Sequence, residues 1–257
     1  MRNISLLAAS ALLGCATADQ VHALEQRVDL LELELERQAA HPSIIINSDG
    51  STTAAVQAPA GTGGDEEVAA TLLKEIQAKI ASGKTLEAKK LFFDELRAKH
   101  GGTQVYKSRS VSTLEKELSV IGNKVSGADI SSNITKWFTT EGDLALESGV
   151  TLLVFFEEWC PHCKREVPKL METYDTYRDK GLKVIGLTRV TKKSTDASVA
   201  DLISANDVNY PIAKEDGKVA PKFNVSGIPA AAIVKDGVIV WRGNPARLNA
   251  ALWKNWL

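Results

Sequence analysis

The sequence predicts an α/β domain in the C-terminal half of the chain, a mixed central sheet flanked by helices. Three observations carry that expectation. Leu152-Leu153-Val154-Phe155-Phe156 is a short continuous apolar run whose length and aromatic content suit a strand buried on both faces. Residues 164–180 follow with Val167, Leu170, Met171, Tyr174 and Tyr177 three and four apart, the spacing of one helix face. Residues 182–187 then read as a second buried strand, and residues 231–234 and 238–241, split by Asp236-Gly237, read as a hairpin. The central strands are expected to be parallel and the final hairpin antiparallel.

The elements before this domain differ in kind. In residues 1–15, Arg2 is a minimal basic region, residues 4–13 a short apolar stretch, and Gly14 a small residue before Cys15, the pattern of a secretory leader. Leu12-Leu13-Gly14-Cys15 also resembles a bacterial lipobox, in which Cys15 becomes the acylated first residue and ties the chain to a lipid bilayer. The alternative is an ordinary signal peptide with an incidental cysteine. The chain has three cysteines, and acylation of Cys15 leaves one pair and no odd thiol in an oxidising compartment. Beyond this segment no run of eighteen apolar residues exists, so no transmembrane helix is expected.

Residues 16–38 carry Val21, Leu24, Val28, Leu31 and Leu35 in a heptad, with valine or leucine at a and leucine at d. That choice favours a two-stranded coiled coil and hence a homodimer, although so short a coil is weak alone. The alternative, an amphipathic helix lying on a membrane, is opposed by an acidic polar face. Residues 39–65 have the composition of a flexible linker, spanning roughly 30 Å as a coil, with Ile44-Ile45-Ile46 as a candidate short strand. Residues 66–119 read as a helical hairpin broken at Ser82-Gly83-Lys84, one tetratricopeptide-style repeat. A single repeat cannot bury its own face, so it is expected to pack on Leu114, Leu118 and Ile121, on the C-terminal domain, or on a second subunit.

Residues 120–257 form the α/β domain. A strand is expected near 128–130, a helix or turn at 134–138, a helix at 198–205, an extra strand at 210–212, a short helix at 219–223 and a closing helix at 246–256. The net charge of −1 gives no basis for a nucleic-acid partner.

The chemistry concentrates at Trp159-Cys160-Pro161-His162-Cys163, between the apolar run and the helix. Free backbone N–H groups and the helix dipole favour an anion there, so Cys160, expected to be exposed, is the candidate nucleophile and Cys163, one turn on and more buried, the resolving thiol. The other use of such a pair is half of a zinc site, which needs two further ligands. The only other cysteine is Cys15, and His22, His41 and His100 lie in remote segments, so no metal is expected and no bound cofactor is required. Glu166 lies three residues past Cys163 on the same helix face; the alternative is one more solvated glutamate, in a region that also holds Glu157, Glu158 and Glu172. His162 can donate an N–H to the Cys160 thiolate, which would stabilise the reduced form and make the pair more oxidising.

Trp159-Cys160-x-x-Cys163-Lys164-x-Glu166-x-Pro168 resembles the motif of the TlpA/ResA-like thiol-disulfide oxidoreductases, within the thioredoxin-like superfamily. The resemblance covers about residues 120–257. It implies a thioredoxin-like fold, a redox-active Cys160–Cys163 disulfide, and protein thiols or disulfides as substrates, with a membrane or periplasmic electron partner. It makes Glu166 the acidic residue that moves protons beside the disulfide, and Pro168 the kink of the active-site helix. Gly227-Ile228-Pro229 matches the loop whose proline is cis and faces the disulfide. Ile228 and Pro229, with Trp159, would form the substrate platform. The chain departs from the pattern at His162, where the family often has proline, and Val154 stands where thioredoxin has a buried aspartate. The function so implied is reduction of protein disulfides by a lipid-anchored periplasmic protein. The alternatives are a dimeric disulfide oxidase or isomerase, and a non-enzymatic redox-regulated adaptor.

Overall fold

The computed structural model describes residues 44–46, 52–54, 63–191 and 193–257. The lipobox at Cys15 and the heptad of residues 16–38 lie outside them. The chain divides into two units, residues 1–59 and 60–257. In the first, β1 (Ile44–Ile46) pairs antiparallel with β2 (Thr52–Ala54), in register Ile44 to Ala54. The isoleucine run thus forms a strand, as its β-branched side chains favour.

The second unit begins with a helical hairpin. Helix α1 (Gly63–Ala81) ends where Gly83 takes a left-handed conformation (φ 78°) and the Lys84 N–H returns to the Lys79 carbonyl at 2.9 Å. This is the arrangement that satisfies the last carbonyls of a helix. Helix α2 (Thr85–Leu91) continues through a π-helical stretch, Phe92–Arg97, into Ala98–His100. Two further helices, α3 (Gln104–Lys107) and α4 (Arg109–Ser119), are capped by Thr103 and Ser108, each accepting from a backbone N–H.

Helix α5 (Gly127–Ser131) and strand β3 (Ile134–Trp137) stand in the reverse of the expected order, strand then helix. Two interactions account for this. The Ser126 side chain accepts from the Asp129 N–H while the Asp129 carboxylate accepts from the Ser126 N–H, a capping box that starts a helical turn. Residues 134–137 lie along the edge of strand β6 (Ile212–Glu215), with Trp137 opposite Ala213, so pairing with a distant strand decides their conformation.

The remaining elements are β4 (Val150–Phe156), α6 (Pro161–Tyr177), β5 (Leu182–Thr188), α7 (Asp196–Ala205), α8 (Val219–Lys222), β7 (Ala230–Lys235), β8 (Val238–Gly243) and α9 (Ala250–Trp253). The extra strand falls at β6, slightly later than expected. The closing helix is shorter than expected, a 3-10 turn at Pro245–Arg247 and then α9. Asn249 starts α9 by accepting from the Ala251 and Leu252 N–H groups, which separates it from the preceding turn.

The six strands lie in the order β3-β6-β5-β4-β7-β8. Strands β4, β5 and β6 are parallel, whereas β3, β7 and β8 are antiparallel to their neighbours. The β7–β8 turn has Asp236 (φ 49°) and Gly237 (φ 76°) both left-handed, the geometry that matches strand twist in a two-residue hairpin. Every residue of β4 is buried. Its alternation sends Leu153 and Phe155 into one core and Leu152, Val154 and Phe156 into the other.

The helical hairpin covers the first of these faces. Phe92, Leu96, Leu114, Leu118 and Ile121 join Leu153, Phe155, Ile185 and Val234 in one apolar cluster. Thr85 donates its hydroxyl to the Val240 carbonyl, and the Lys89 ammonium donates to the Ser119 and Ile121 carbonyls. The repeat therefore packs on residues 114–121 and on the sheet together. Helix α6 covers the opposite face through Val167 and Leu170. Because Phe92 is wholly buried in the shared cluster, Phe92→Ala should lower unfolding free energy by about 3–5 kcal/mol. In denaturant titration the hairpin and sheet should unfold in one transition; two separated transitions would contradict a common core.

Candidate active site

Strand β4 delivers the chain to the site and α6 carries it away. Between them the Cys160 N–H donates to the Glu157 carbonyl at 3.1 Å, closing a turn, and Lys164 N–H donates to the Cys160 carbonyl at 3.0 Å, opening the helix. Cys160 is the residue before the first helical position, in extended conformation, and Pro161 follows at that first position. Proline is suited there because its missing N–H would have had no partner in the helix. Cys163 sits one turn later, facing the sheet and fully buried.

Strand β7 pairs with β4, Ala230 opposite Phe155, and so brings the preceding Pro229 beside the end of β4. The Ile228–Pro229 peptide is cis, as the resemblance implied. The Cys160 thiol donates to the Ile228 carbonyl, with Sγ 3.8 Å from the oxygen. Cys160 was expected to be exposed, yet only 5% of its surface is accessible. Trp159 and Ile228 pack on the same apolar cluster and account for the difference.

Both cysteines are free thiols. Burial pushes the Cys163 thiol far up, with its hydrogen bond to Cys160 acting in the same direction. The negative charge of Glu157 also raises it, against an opposing backbone hydrogen bond at Glu157. Cys163 is therefore a neutral thiol near pH 7, and the pair is asymmetric.

The other sequence-selected residues surround this pair. Trp159 is half-buried, donates its indole N–H to the Glu157 carboxylate at 2.6 Å, and carries the Lys193 ammonium 4.5 Å from its ring centroid. Glu166 is 15% exposed and pairs with Lys169 at 3.0 Å. His162 is exposed, and its Nδ1 accepts from the Arg165 guanidinium at 2.6 Å. Its ring is thus engaged along the helix surface, not by the Cys160 thiol as expected. Among the described residues no group of three or more His, Cys, Asp or Glu side chains is gathered to hold a metal.

Glu157 and Glu158, which the sequence reading assigned no role, are buried. Glu157 accepts from Trp159, from the Thr191 hydroxyl at 2.9 Å and from Arg189 at 3.0 Å, while Glu158 accepts from the Ser198 hydroxyl at 2.8 Å. The available signal was their position: they directly follow a fully buried strand, before the chain has left the interior.

A mixed sheet with a Cys-x-x-Cys pair opening the helix after its central strand, and a cis-proline loop facing it, defines a thioredoxin-like domain with a dithiol site. Residues 136–242 match the model of the AhpC/TSA family. The chain is 25% identical over 107 residues to sporulation thiol-disulfide oxidoreductase A of Bacillus subtilis, covering 41% of this chain and 65% of that protein. It is 30% identical over 90 residues to thiol-disulfide oxidoreductase ResA of Bacillus cereus, covering 34% of this chain and 50% of that protein. Among solved structures, StoA from Bacillus subtilis superposes with a TM-score of 0.37 at 26% identity, over 42% of this chain and 82% of that one. The matched segment thus spans from half to somewhat under two thirds of these two curated relatives.

Only a thiolate is alkylated at an appreciable rate, and the asymmetry sets which sulfur reacts. Iodoacetamide at pH 7 should modify Cys160 and spare Cys163, whose labelling should appear only in strongly alkaline solution. Peptide mapping that finds equal labelling at neutral pH would contradict the burial of Cys163.

Proposed function

We propose that this protein is a periplasmic thiol-disulfide oxidoreductase, anchored to a bilayer through acylated Cys15, that reduces disulfides in other proteins. The substrates are of the type found in apocytochrome c or metal-site cysteine pairs. The observation that carries this reading is the unequal pair itself: Cys160 at the helix start beside the Ile228 carbonyl, and Cys163 buried one turn behind it. Support also comes from the thiol-disulfide oxidoreductase names of the curated relatives.

The Cys160 thiolate attacks a substrate disulfide, forming a Cys160–substrate disulfide and releasing one substrate thiolate. Cys163 loses its proton and attacks Cys160, forming the Cys160–Cys163 disulfide and releasing the second substrate thiolate. An electron donor of the membrane or periplasm then returns the protein to the dithiol. The half-buried Ile228 next to Pro229 offers its backbone to an extended substrate segment in the manner of strand addition. Glu166, on α6 one turn beyond Cys163, moves protons during the cycle. The engagement of His162 by Arg165 favours reduction over an oxidase or isomerase role, because it leaves the Cys160 thiolate without that added stabilisation. The heptad of residues 16–38 supports assembly as a homodimer.

Substitution separates the two sulfurs. Cys163→Ser should accumulate mixed disulfides with protein substrates, resolved by reducing agent on a non-reducing gel, whereas Cys160→Ser should trap none and abolish exchange. Trapping by Cys160→Ser alone would reverse the assignment, and trapping by neither would favour the redox-regulated adaptor.

A further inference from the structure

The acids and the cations next to Cys160 differ in how far the fold engages them. Glu157 accepts from Trp159, Thr191 and Arg189, and Glu158 accepts from Ser198. Both are buried, and Glu166 is paired with Lys169. The carboxylates between residues 157 and 166 therefore all have partners within the chain. Lys164, Arg165 and Lys193 are exposed, and among the described residues none of them is paired with a carboxylate. Residues 224–229, which lead into the cis peptide facing Cys160, include no charged residue. The exposed charge left unmatched at the site is positive.

These cations are set in place by contacts from two elements. In the loop after β5, the Thr191 hydroxyl and the Arg189 guanidinium both donate to the Glu157 carboxylate, which ties the loop to the chain just before Cys160. The Lys193 ammonium then lies 4.5 Å from the ring centroid of Trp159, the residue preceding Cys160. On α6, Arg165 donates to the His162 Nδ1 at 2.6 Å, which holds its guanidinium along the first turn of the helix. Lys164 stands one turn after Cys160, its N–H on the Cys160 carbonyl.

We propose that Lys193 and Arg165, with Lys164, form a basic rim that selects protein substrates carrying acidic side chains beside the disulfide. The inference rests on the dithiol-exchange reading and adds to it the chemistry of the segment reduced. A substrate strand paired along the Ile228 backbone presents its side chains alternately to either face, and carboxylates among them meet the cations that the chain's own acids leave unmatched. The Arg165 fork matches a carboxylate in shape, whereas Lys193 acts as a point charge. The whole chain has a net charge of −1, so a preference for acidic segments has to come from this local arrangement. Because the groups are exposed, their attraction speeds encounter and is screened by salt.

The test gives the reduced full chain three disulfide-bonded peptides of one length, with Glu, Ser or Lys beside the cysteines. In each reaction the protein dithiol is oxidised to its disulfide and the peptide disulfide is reduced to two thiols. Each rate is divided by that of the same peptide with dithiothreitol, which removes differences in the peptides' own reactivity. At about 0.01 M salt the Glu peptide should react about tenfold faster than the Lys peptide, and at about 1 M salt, where screening is nearly complete, within about twofold of it. Lys193→Glu combined with Arg165→Glu should reverse the low-salt preference. The milder pair Lys193→Gln and Arg165→Gln should reduce it, and covers the case in which the double reversal does not fold. A change in Cys160 reactivity cancels in the ratio between peptides. Lys254→Glu makes the same kind of charge reversal near Trp256, whose carbonyl accepts from Lys235, opposite Val150 at the far end of β4; it should leave the ratio within about twofold. Equal rates for the three peptides, a preference indifferent to salt or to the changes at 193 and 165, or the same response to Lys254→Glu would overturn this inference alone. No reduction of any peptide would remove the exchange reading and this inference with it.

Discussion

The pairing of β4 with β7 is the constraint on which the rest of the site depends. Strand β4 is buried along its whole length and hydrogen-bonded on both sides, to β5 in parallel and to β7 antiparallel. The first neighbour fixes where the cysteine turn emerges, and the second sets the Ile228–Pro229 loop against it. A one-residue slip in either pairing would exchange the faces of β4. Leu153 and Phe155 would leave the hairpin-side core, and the loop would no longer meet Cys160. The dithiol is thus positioned by backbone register, and the side chains around it refine an arrangement already made.

The helical hairpin gains its meaning from the same sheet. It is the apolar cover for the face of β4, β5 and β7 opposite α6, and Phe92 and Leu96 do for that face what Val167 and Leu170 do for the other. A repeat that could not bury its own surface is stabilised by the domain it precedes. Two charged side chains reinforce the junction: Lys89 donates to the Ser119 and Ile121 carbonyls, at and just past the end of α4, and Arg247 donates to the nearly buried Glu117 at 2.6 Å.

The central sheet, the active-site helix and the closing hairpin were legible because each is written in local pattern: a continuous apolar run, a three-and-four spacing, an Asp-Gly turn. The cysteine pair was legible because its spacing is itself the chemistry. Residues 126–138 were misread because a capping box at Ser126 and Asp129 and an edge pairing with β6 outweigh weak intrinsic preference. The environments of Glu157 and His162 were hidden for another reason. Both depend on partners that only the fold or the helix surface supplies, Arg189 and Thr191 for one and Arg165 for the other. Composition assigns a glutamate to solvent by default, and the exception here follows from its place at the end of a buried strand.

The central claim, that Cys160 and Cys163 form a reducing dithiol couple, is tested most directly by the equilibrium of the pair against a thiol buffer of defined potential. A reducing couple should show one two-electron transition, about 30 mV per tenfold change in the equilibrium constant, with a midpoint near the roughly −270 mV of thioredoxin. A midpoint near the roughly −120 mV of strong disulfide donors, or the absence of any intramolecular disulfide across the titration, would contradict it.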